Sequence, residues 1–268
     1  MSAVVDRLRA AGCVFAEDEA LLLVSTAPSA ADLASMVERR VSGLPLEHVL
    51  GWAEFCGLRV AVDPGVFVPR RRTEFLVHQA VPLTGPGSVV VDLCCGSAAL
   101  GAALAVLGRP AELHAADIDP AALACARRNV AAVADRLPGG GRVYEGDLYA
   151  PLPAGLRGRV DVLLANVPYV PTEQIGLLPA EARLHEARVA LDGGADGLEV
   201  LRRVAAGAPR WLAPGGHLVF ETSERQTPQA VETVAGEGLI PRVATSEEFS
   251  ATVIVAARPR DASAGDRQ

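Results

Sequence analysis

Val89-Val90-Val91-Asp92-Leu93-Cys94-Cys95-Gly96-Ser97-Ala98-Ala99-Leu100 decides the fold. A β-rich run feeds a tight turn of small residues, and an Ala-rich helix follows to about Leu107. Small residues let a backbone approach a ligand, and a helix N-terminus presents free N–H groups. The turn is not GxGxxG, and it is not a P-loop, because GK[ST] is missing. Alone, it reads equally well as an ordinary strand-to-helix connection.

Downstream, the pattern repeats. A strand over roughly Glu112 to Ala116 ends in Asp117-Ile118-Asp119-Pro120. A carboxylate at the end of a second strand can accept two hydrogen bonds from a ribose diol. Asp117 is the preferred ligand; Asp119 reads as an N-cap, with Pro120 in the first helical turn. Arg142 to Leu148 reads as a third strand ending in an acid, where Asp147 can receive an exocyclic amino group with Leu148 against the ring. Val160-Asp161-Val162-Leu163-Leu164-Ala165 is a buried strand, and Asn166-Val167-Pro168-Tyr169 follows it. The Asn side-chain oxygen and the next carbonyl can both accept from one NH2 group. The Tyr ring can stack on a planar group, and Pro168 stiffens the turn. A plain strand-to-loop exit is the alternative for these four residues alone.

Upstream, residues 3 to 43 read as helices, with Val4, Leu8 and Ala11, then Ala20, Leu21, Leu23 and Val24, at helical spacing. Pro28-Ser29 opens a third helix that ends near Gly43-Leu44-Pro45. Alternating apolar residues around Asp63-Pro64-Gly65 predict a β-hairpin linker. His48 reads as a satisfied structural histidine, and Arg70-Arg71-Arg72 as a solvated face or a patch for an acidic or RNA-bearing partner. Thr73-Glu74 starts a further helix. Pro171 to Gly197 reads as a loop-rich lid, in which His185 and Glu186 order the segment. Pro214-Gly215-Gly216 is expected to turn, and residues 239 to 257 to supply two last strands. The predicted boundaries are 1–45 for a helical domain, 46–72 for the linker, 73–258 for the α/β domain and 259–268 for a disordered tail.

The 268 residues are half hydrophobic and carry a net charge of −7, which argues against a protein built around a nucleic-acid backbone. Five cysteines, with no CxxC pair, indicate neither a disulfide framework nor a metal site. No run approaches the length of a membrane span, so a soluble cytoplasmic protein with no membrane association is expected.

Alternating strands and helices give a doubly wound α/β sheet. With these motifs, the chain resembles a class I S-adenosylmethionine-dependent methyltransferase. Its seven-stranded sheet would carry a small N-terminal helical domain and a β-hairpin linker. LPLEHVLGWAEFCGLRVAVDPGVFVPRRRTEFL, DLCCGSAALG, ADIDP, GDLY, NVPYV, ALDGGADGL and APGGHLVFETSERQ are similar, in order, to segments of the HemK/PrmC-type protein-(glutamine-N5) methyltransferases. These methylate the glutamine of the Gly-Gly-Gln loop of peptide release factors. The resemblance covers about residues 40 to 257. It implies cofactor contacts from Asp92, Cys94, Cys95, Gly96, Ser97, Ala98, Asp117, Ile118, Asp147, Leu148 and Asn166. It also places the target amide at Asn166, Val167, Pro168 and Tyr169. The implied partner is a protein, a release factor or another. NVPY stands for the family's NPPY, RRRTE for RPETE, and DLCCGSA for DLGTGSG, as in a divergent paralogue.

An amide nitrogen is a poor nucleophile because its lone pair is delocalised. If Asn166 and the Val167 carbonyl hold both N–H bonds, the lone pair can turn toward a methyl donor without a base, a triad or a metal. An amino methyltransferase acting on a nucleic-acid base is the alternative enzyme. A catalytically weak binding module is the alternative outside enzymology.

Overall fold

The computed structural model describes residues 1–260; the tail expected from residue 259 falls, for 261–268, outside the described residues. Helices α1 (Ser2–Ala10), α2 (Ala16–Thr26), α3 (Ala30–Val41) and α4 (Leu46–Leu50) open the chain. Leu8, Ala20, Leu23, Met36, Val37 and Val49 form their shared core. Ser29 caps α3, its Oγ accepting from Asp32 N at 3.2 Å. Val49 of α4 packs in this core, with Leu46 and Leu50 partly buried against it.

The hairpin is displaced from its expected centre. β1 (Trp52–Phe55) pairs with β2 (Leu58–Ala61), and Cys56-Gly57 makes the turn. Both turn residues have positive φ, 51° and 73°, as a two-residue hairpin loop matched to strand twist requires. Asp63-Pro64-Gly65 instead starts the extended segment that leads to α5 (Glu74–Ala80).

The main sheet contains β3 (Val89–Leu93), β4 (Glu112–Asp117), β5 (Gly140–Glu145), β6 (Val160–Ala165), β7 (Leu212–Thr222), β8 (Ile240–Ser246) and β9 (Ala251–Ala257). Their order is β5-β4-β3-β6-β7-β9-β8, with only β9 antiparallel to its neighbours. Side chains alternate across it: Val90, Val162 and Leu164 face one apolar layer, Val91, Leu163 and Ala165 the other. The first layer is completed by α5, α6 (Ala99–Leu107) and α7 (Pro120–Ala132), the second by α9 (Glu199–Trp211) and α10 (Thr227–Gly236). Burial of this kind contributes about 1.5–3 kcal/mol per large aliphatic side chain. The expected Pro214-Gly215-Gly216 turn is a bulge inside β7: Val160 pairs with Leu212, but Val162 already pairs with His217.

Strand order reverses between β3 and β6, with the connecting helices on opposite faces. That reversal opens a crevice beyond the carboxyl ends of the two strands. The lid adds α8 (Ala180–His185) and short 3-10 turns over it. Among the described residues no helix is long and apolar enough to cross a membrane.

Candidate active site

Two cavities meet at the crevice. The first, about 1050 Å3 including its mouth, is lined by Cys94 to Ser97, Asp117, Ile118, Asp147, Leu148, Asn166 and Pro168. Phe67, Pro69 and Thr73 close it from the linker. The second is lined by Arg70, Arg72 and Asn166 to Val170, with Leu178, Pro179, Glu181 and Ala182 from the lid. Asn166 and Pro168 line both, whereas Val167 and Tyr169 line only the second.

The turn after β3 is held from several sides. Cys95 N donates to Ala116 O (3.1 Å), Ala98 N to Cys95 O (2.7 Å) and Gly96 N to Asp117 Oδ2 (2.8 Å). Asp117 Oδ1 accepts from Asp119 N at 2.9 Å. Each oxygen keeps a lone pair for a further donor. Burial raises the Asp117 carboxyl above its ordinary value, partly opposed by these amides. Asp119 has its capping role, accepting from Ala121 N at 2.9 Å. Burial also pushes the Cys94 and Cys95 thiols well up, so both remain neutral small residues.

Two expected cofactor contacts stand elsewhere. Asp92 is fully buried behind the turn, outside the cavity lining, with Oδ2 accepting from Gly101 N at 3.0 Å. A residue inside β3 cannot reach the crevice that opens beyond the strand's end. Ala98 is likewise buried, as the left-handed N-cap of α6 at φ 58°. Asp147 lines the first cavity, but its Oδ2 already accepts from Arg203 Nη2 at 2.5 Å.

Asn166 Oδ1 is buried and has no partner among the described residues. No described donor reaches the Val167 carbonyl. The Tyr169 carbonyl, by contrast, accepts from Gln226 Nε2 at 3.0 Å. The Tyr169 hydroxyl donates to Glu221 Oε1 (3.1 Å) and accepts from Arg72. Burial, with the Glu221 carboxylate next, raises the Tyr169 phenol far above its usual range, so it stays protonated.

The arginine run is not simply a solvated face. Arg70 Nη2 donates to Glu186 Oε1 (2.5 Å), and Arg72 Nε to Glu221 Oε1 (2.9 Å). Glu186 Oε1 also accepts from Val68 N (3.1 Å), which anchors the lid to the linker. His185 ends α8. His48 is structural: its Nε2 donates to Val66 O at 2.8 Å, and the side chain is buried.

Thr73, Arg203 and Asn129 were not singled out in the sequence. Thr73 Oγ1 is a buried hydroxyl without a partner among the described residues, at the first cavity. Arg203 reaches that cavity from α9. Asn129 ties hairpin to turn: Oδ1 accepts from Ala61 N (2.7 Å), and Nδ2 donates to Ser97 O (2.8 Å). None sits in a motif whose spacing marks a ligand, so only the folded geometry identifies them.

The first cavity suits an adenosyl group attached to an amino acid. It offers apolar walls at Ile118 and Leu148, an acid with spare lone pairs and an unpartnered hydroxyl.

Comparison with known proteins agrees. Residues 57–204 match the family model of the methyltransferase small domain. A release factor glutamine methyltransferase of Geobacter sulfurreducens is 38% identical over 201 residues, spanning 75% of this chain and 67% of the relative. That of Moorella thermoacetica is 40% identical over 203 residues, spanning 74% and 69%. Among solved structures, a methyltransferase from Pyrococcus furiosus superposes with a TM-score of 0.58 at 16% identity, over 76% of this chain and 90% of its own. A ribosomal protein L11 methylase of Lactobacillus delbrueckii subsp. bulgaricus gives 0.52 at 16%, over 71% and 81%, which shows the shared sheet. This chain is an S-adenosylmethionine-dependent methyltransferase with a class I sheet, and it belongs to the release factor glutamine methyltransferase family.

Proposed function

We propose that the methyl acceptor is the glutamine side-chain amide of a Gly-Gly-Gln release factor, presented through the second cavity. The observation that carries this reading is the buried, unpartnered Oδ1 of Asn166 on the wall common to both cavities. A buried acceptor without a donor is costly, of order 1–3 kcal/mol, and an incoming amide N–H removes that cost. A cytoplasmic location belongs to the same reading, supported by five free thiols.

Asp117 holds the ribose hydroxyls of the cofactor, Leu148 and Ile118 flank its base, and Thr73 and the Cys94–Ser97 turn hold its amino-acid end. When bound, S-adenosylmethionine supplies an electrophilic methyl group on a sulfonium centre. Asn166 Oδ1 and the Val167 carbonyl accept the two N–H bonds of the target amide, which turns its nitrogen lone pair toward the first cavity. Tyr169 covers the flat face of the amide. Such orientation can supply roughly 7–11 kcal/mol of the barrier. The same two oxygens favour the positive charge that develops on nitrogen. Once that charge has formed, the acidified N–H is lost to water, so no side chain serves as a base. Val167 in place of a proline leaves its carbonyl available, and Pro168 still restrains the turn.

The test is transfer from labelled S-adenosylmethionine to a release factor, beside the same factor with its Gly-Gly-Gln glutamine changed. Label on the first alone is expected. Label on neither, with a labelled band in a lysate from cells lacking this protein, would retain the reaction and replace the substrate. Cofactor binding without label anywhere would overturn the enzymatic reading in favour of a binding module.

A further inference from the structure

We propose that Arg72 is a positioning residue for the acceptor, acting through Tyr169. Three segments distant in sequence converge here: the end of the linker, the exit from β6 and the end of β7. Arg72 Nε donates to Glu221 Oε1 at 2.9 Å while its Nη2 donates to the Tyr169 hydroxyl. That hydroxyl donates to the same Oε1 at 3.1 Å, closing a three-membered ring of hydrogen bonds. The guanidinium carbon lies 5.8 Å from the Tyr169 ring centroid, within cation–π range.

The placement has a consequence for the ring. Gln226 Nε2 holds the Tyr169 carbonyl at 3.0 Å, so the residue is fixed at its backbone. Among the described residues, the hydroxyl at the far end of the side chain is hydrogen-bonded only to Arg72 and Glu221. Together they set the tilt of the ring across the second cavity, which Arg72, Tyr169 and Asn166 all line. Glu221 is 4% exposed, and Arg72 is its only cationic partner among the described residues. A lysine could neutralise that carboxylate. Its ammonium, a freely rotating point charge, lacks the rigid planar fork with which the guanidinium fixes the two oxygens relative to each other. Arg72 therefore serves two separable ends, neutralising Glu221 and aiming Tyr169.

The experiment exploits that separation, and it rests on the acceptor reading given above. Steady-state constants for release factor and cofactor, with the melting temperature, are measured for the parent chain, Arg72→Lys, Tyr169→Phe and the double variant. Arg72→Lys should keep the parent melting temperature and cofactor KM. Its acceptor KM should rise roughly tenfold, the scale of a lost hydrogen bond to a charged group. In the Tyr169→Phe background the same change should add little, since the hydroxyl through which Arg72 acts is gone. Full acceptor KM in Arg72→Lys, or additive effects in the double variant, would overturn the proposal and leave Arg72 a neutralising charge. A second readout needs no turnover. The chain has three tyrosines, so ring-13C tyrosine NMR gives three signals, with that of Tyr169 assigned from Tyr169→Phe. Arg72→Lys should shift or broaden that signal and spare the other two; an unchanged Tyr169 signal would overturn the clamp. If the parent chain methylates no release factor, the acceptor reading fails while the NMR result still decides the clamp.

Discussion

Gly96 N donates to Asp117 Oδ2 at 2.8 Å, which makes the turn after β3 and the acid at the end of β4 one hydrogen-bonded unit. One carboxylate thus shapes the turn and lines the first cavity. Asp117→Asn removes the charge and turns one acceptor into a donor. Cofactor affinity should fall roughly tenfold to a hundredfold, the effect of one or two lost charge-assisted hydrogen bonds. Calorimetric titration with S-adenosylmethionine checks this. Because burial raises the Asp117 carboxyl, affinity should also weaken on acidification at a higher pH than for an ordinary aspartate. That pH dependence should vanish in Asp117→Asn.

Asn166→Ala removes the unpartnered acceptor and leaves the turn after β3 untouched. Turnover should fall by two to three orders of magnitude, about 3–4 kcal/mol, as for loss of one preorganised group at a site of developing charge. Cofactor affinity should change by less than about threefold, because the first cavity keeps Asp117 and Thr73. Single-turnover rates beside equilibrium cofactor binding separate the two. A parallel loss of both would assign Asn166 to cofactor binding alone.

Gly197 packs against the site with no room for a side chain. A Cβ there would lie 2.3 Å from Tyr169 O and 2.4 Å from Gln226 Nε2, at a φ of +77°. Gly197→Ala must therefore push the Tyr169 carbonyl off Gln226, and the left-handed backbone adds about 1–2 kcal/mol of strain. The variant should lose roughly 3 kcal/mol or more of stability in denaturant unfolding and most acceptor turnover. Gly155→Ala, with nothing within 4 Å, should stay within about 0.5 kcal/mol of the parent.

Much of the lining of the first cavity was legible in the sequence because strand ends carry it. Asp117 closes one apolar strand and Asn166 follows another, Leu148 follows a strand that ends in an acid, and a parallel sheet brings the carboxyl ends of its strands to one edge. What was hidden depends on packing across segments. Thr73 resembles any helix-start residue until the linker folds over the first cavity. Arg72 resembles a surface charge until β7 delivers Glu221. Asp92 fails in the other direction. Its place in a motif suggests a ligand, but it lies inside β3, whereas the cavity lining begins only at Cys94, beyond the strand's end. The hairpin centre was missed because Asp63-Pro64-Gly65 is a stronger turn signal than Cys56-Gly57, although only the latter joins two paired strands.

Asp92 makes a pH prediction. Burial raises its carboxyl to about 8, opposed by the Gly101 amide and assisted by Asp117. In the unfolded chain the group ionises near 3.9. Between those values the folded state holds a proton that the unfolded state has released. This residue's contribution to stability is therefore fully present below about pH 4 and is lost as pH rises toward 8, at up to about 1.4 kcal/mol per unit. Urea unfolding of the parent and of Asp92→Asn from pH 5 to 8 isolates the effect. Asp92→Asn should flatten the decline, and parallel curves would mean that the carboxyl is ionised in the fold.

Arg40 offers a contrast inside one side chain. Its Nε and Nη2 donate to both oxygens of Glu19 at 2.6 and 3.0 Å, while its Nη1 donates to Glu181 of the lid at 2.6 Å. The Glu19 side chain is 10% exposed and that of Glu181 is 49% exposed. Removing Arg40 strands a nearly buried carboxylate, so Arg40→Ala should cost about 3–5 kcal/mol in the helical bundle. Removing the lid carboxylate leaves Arg40 paired with Glu19, and the lost attraction is screened by water. Glu181→Ala should therefore cost less than about 1 kcal/mol. Denaturant unfolding followed by circular dichroism distinguishes the two. Equal losses would mean that the contact between bundle and lid, and not the pair inside the bundle, holds the N-terminal helices in place.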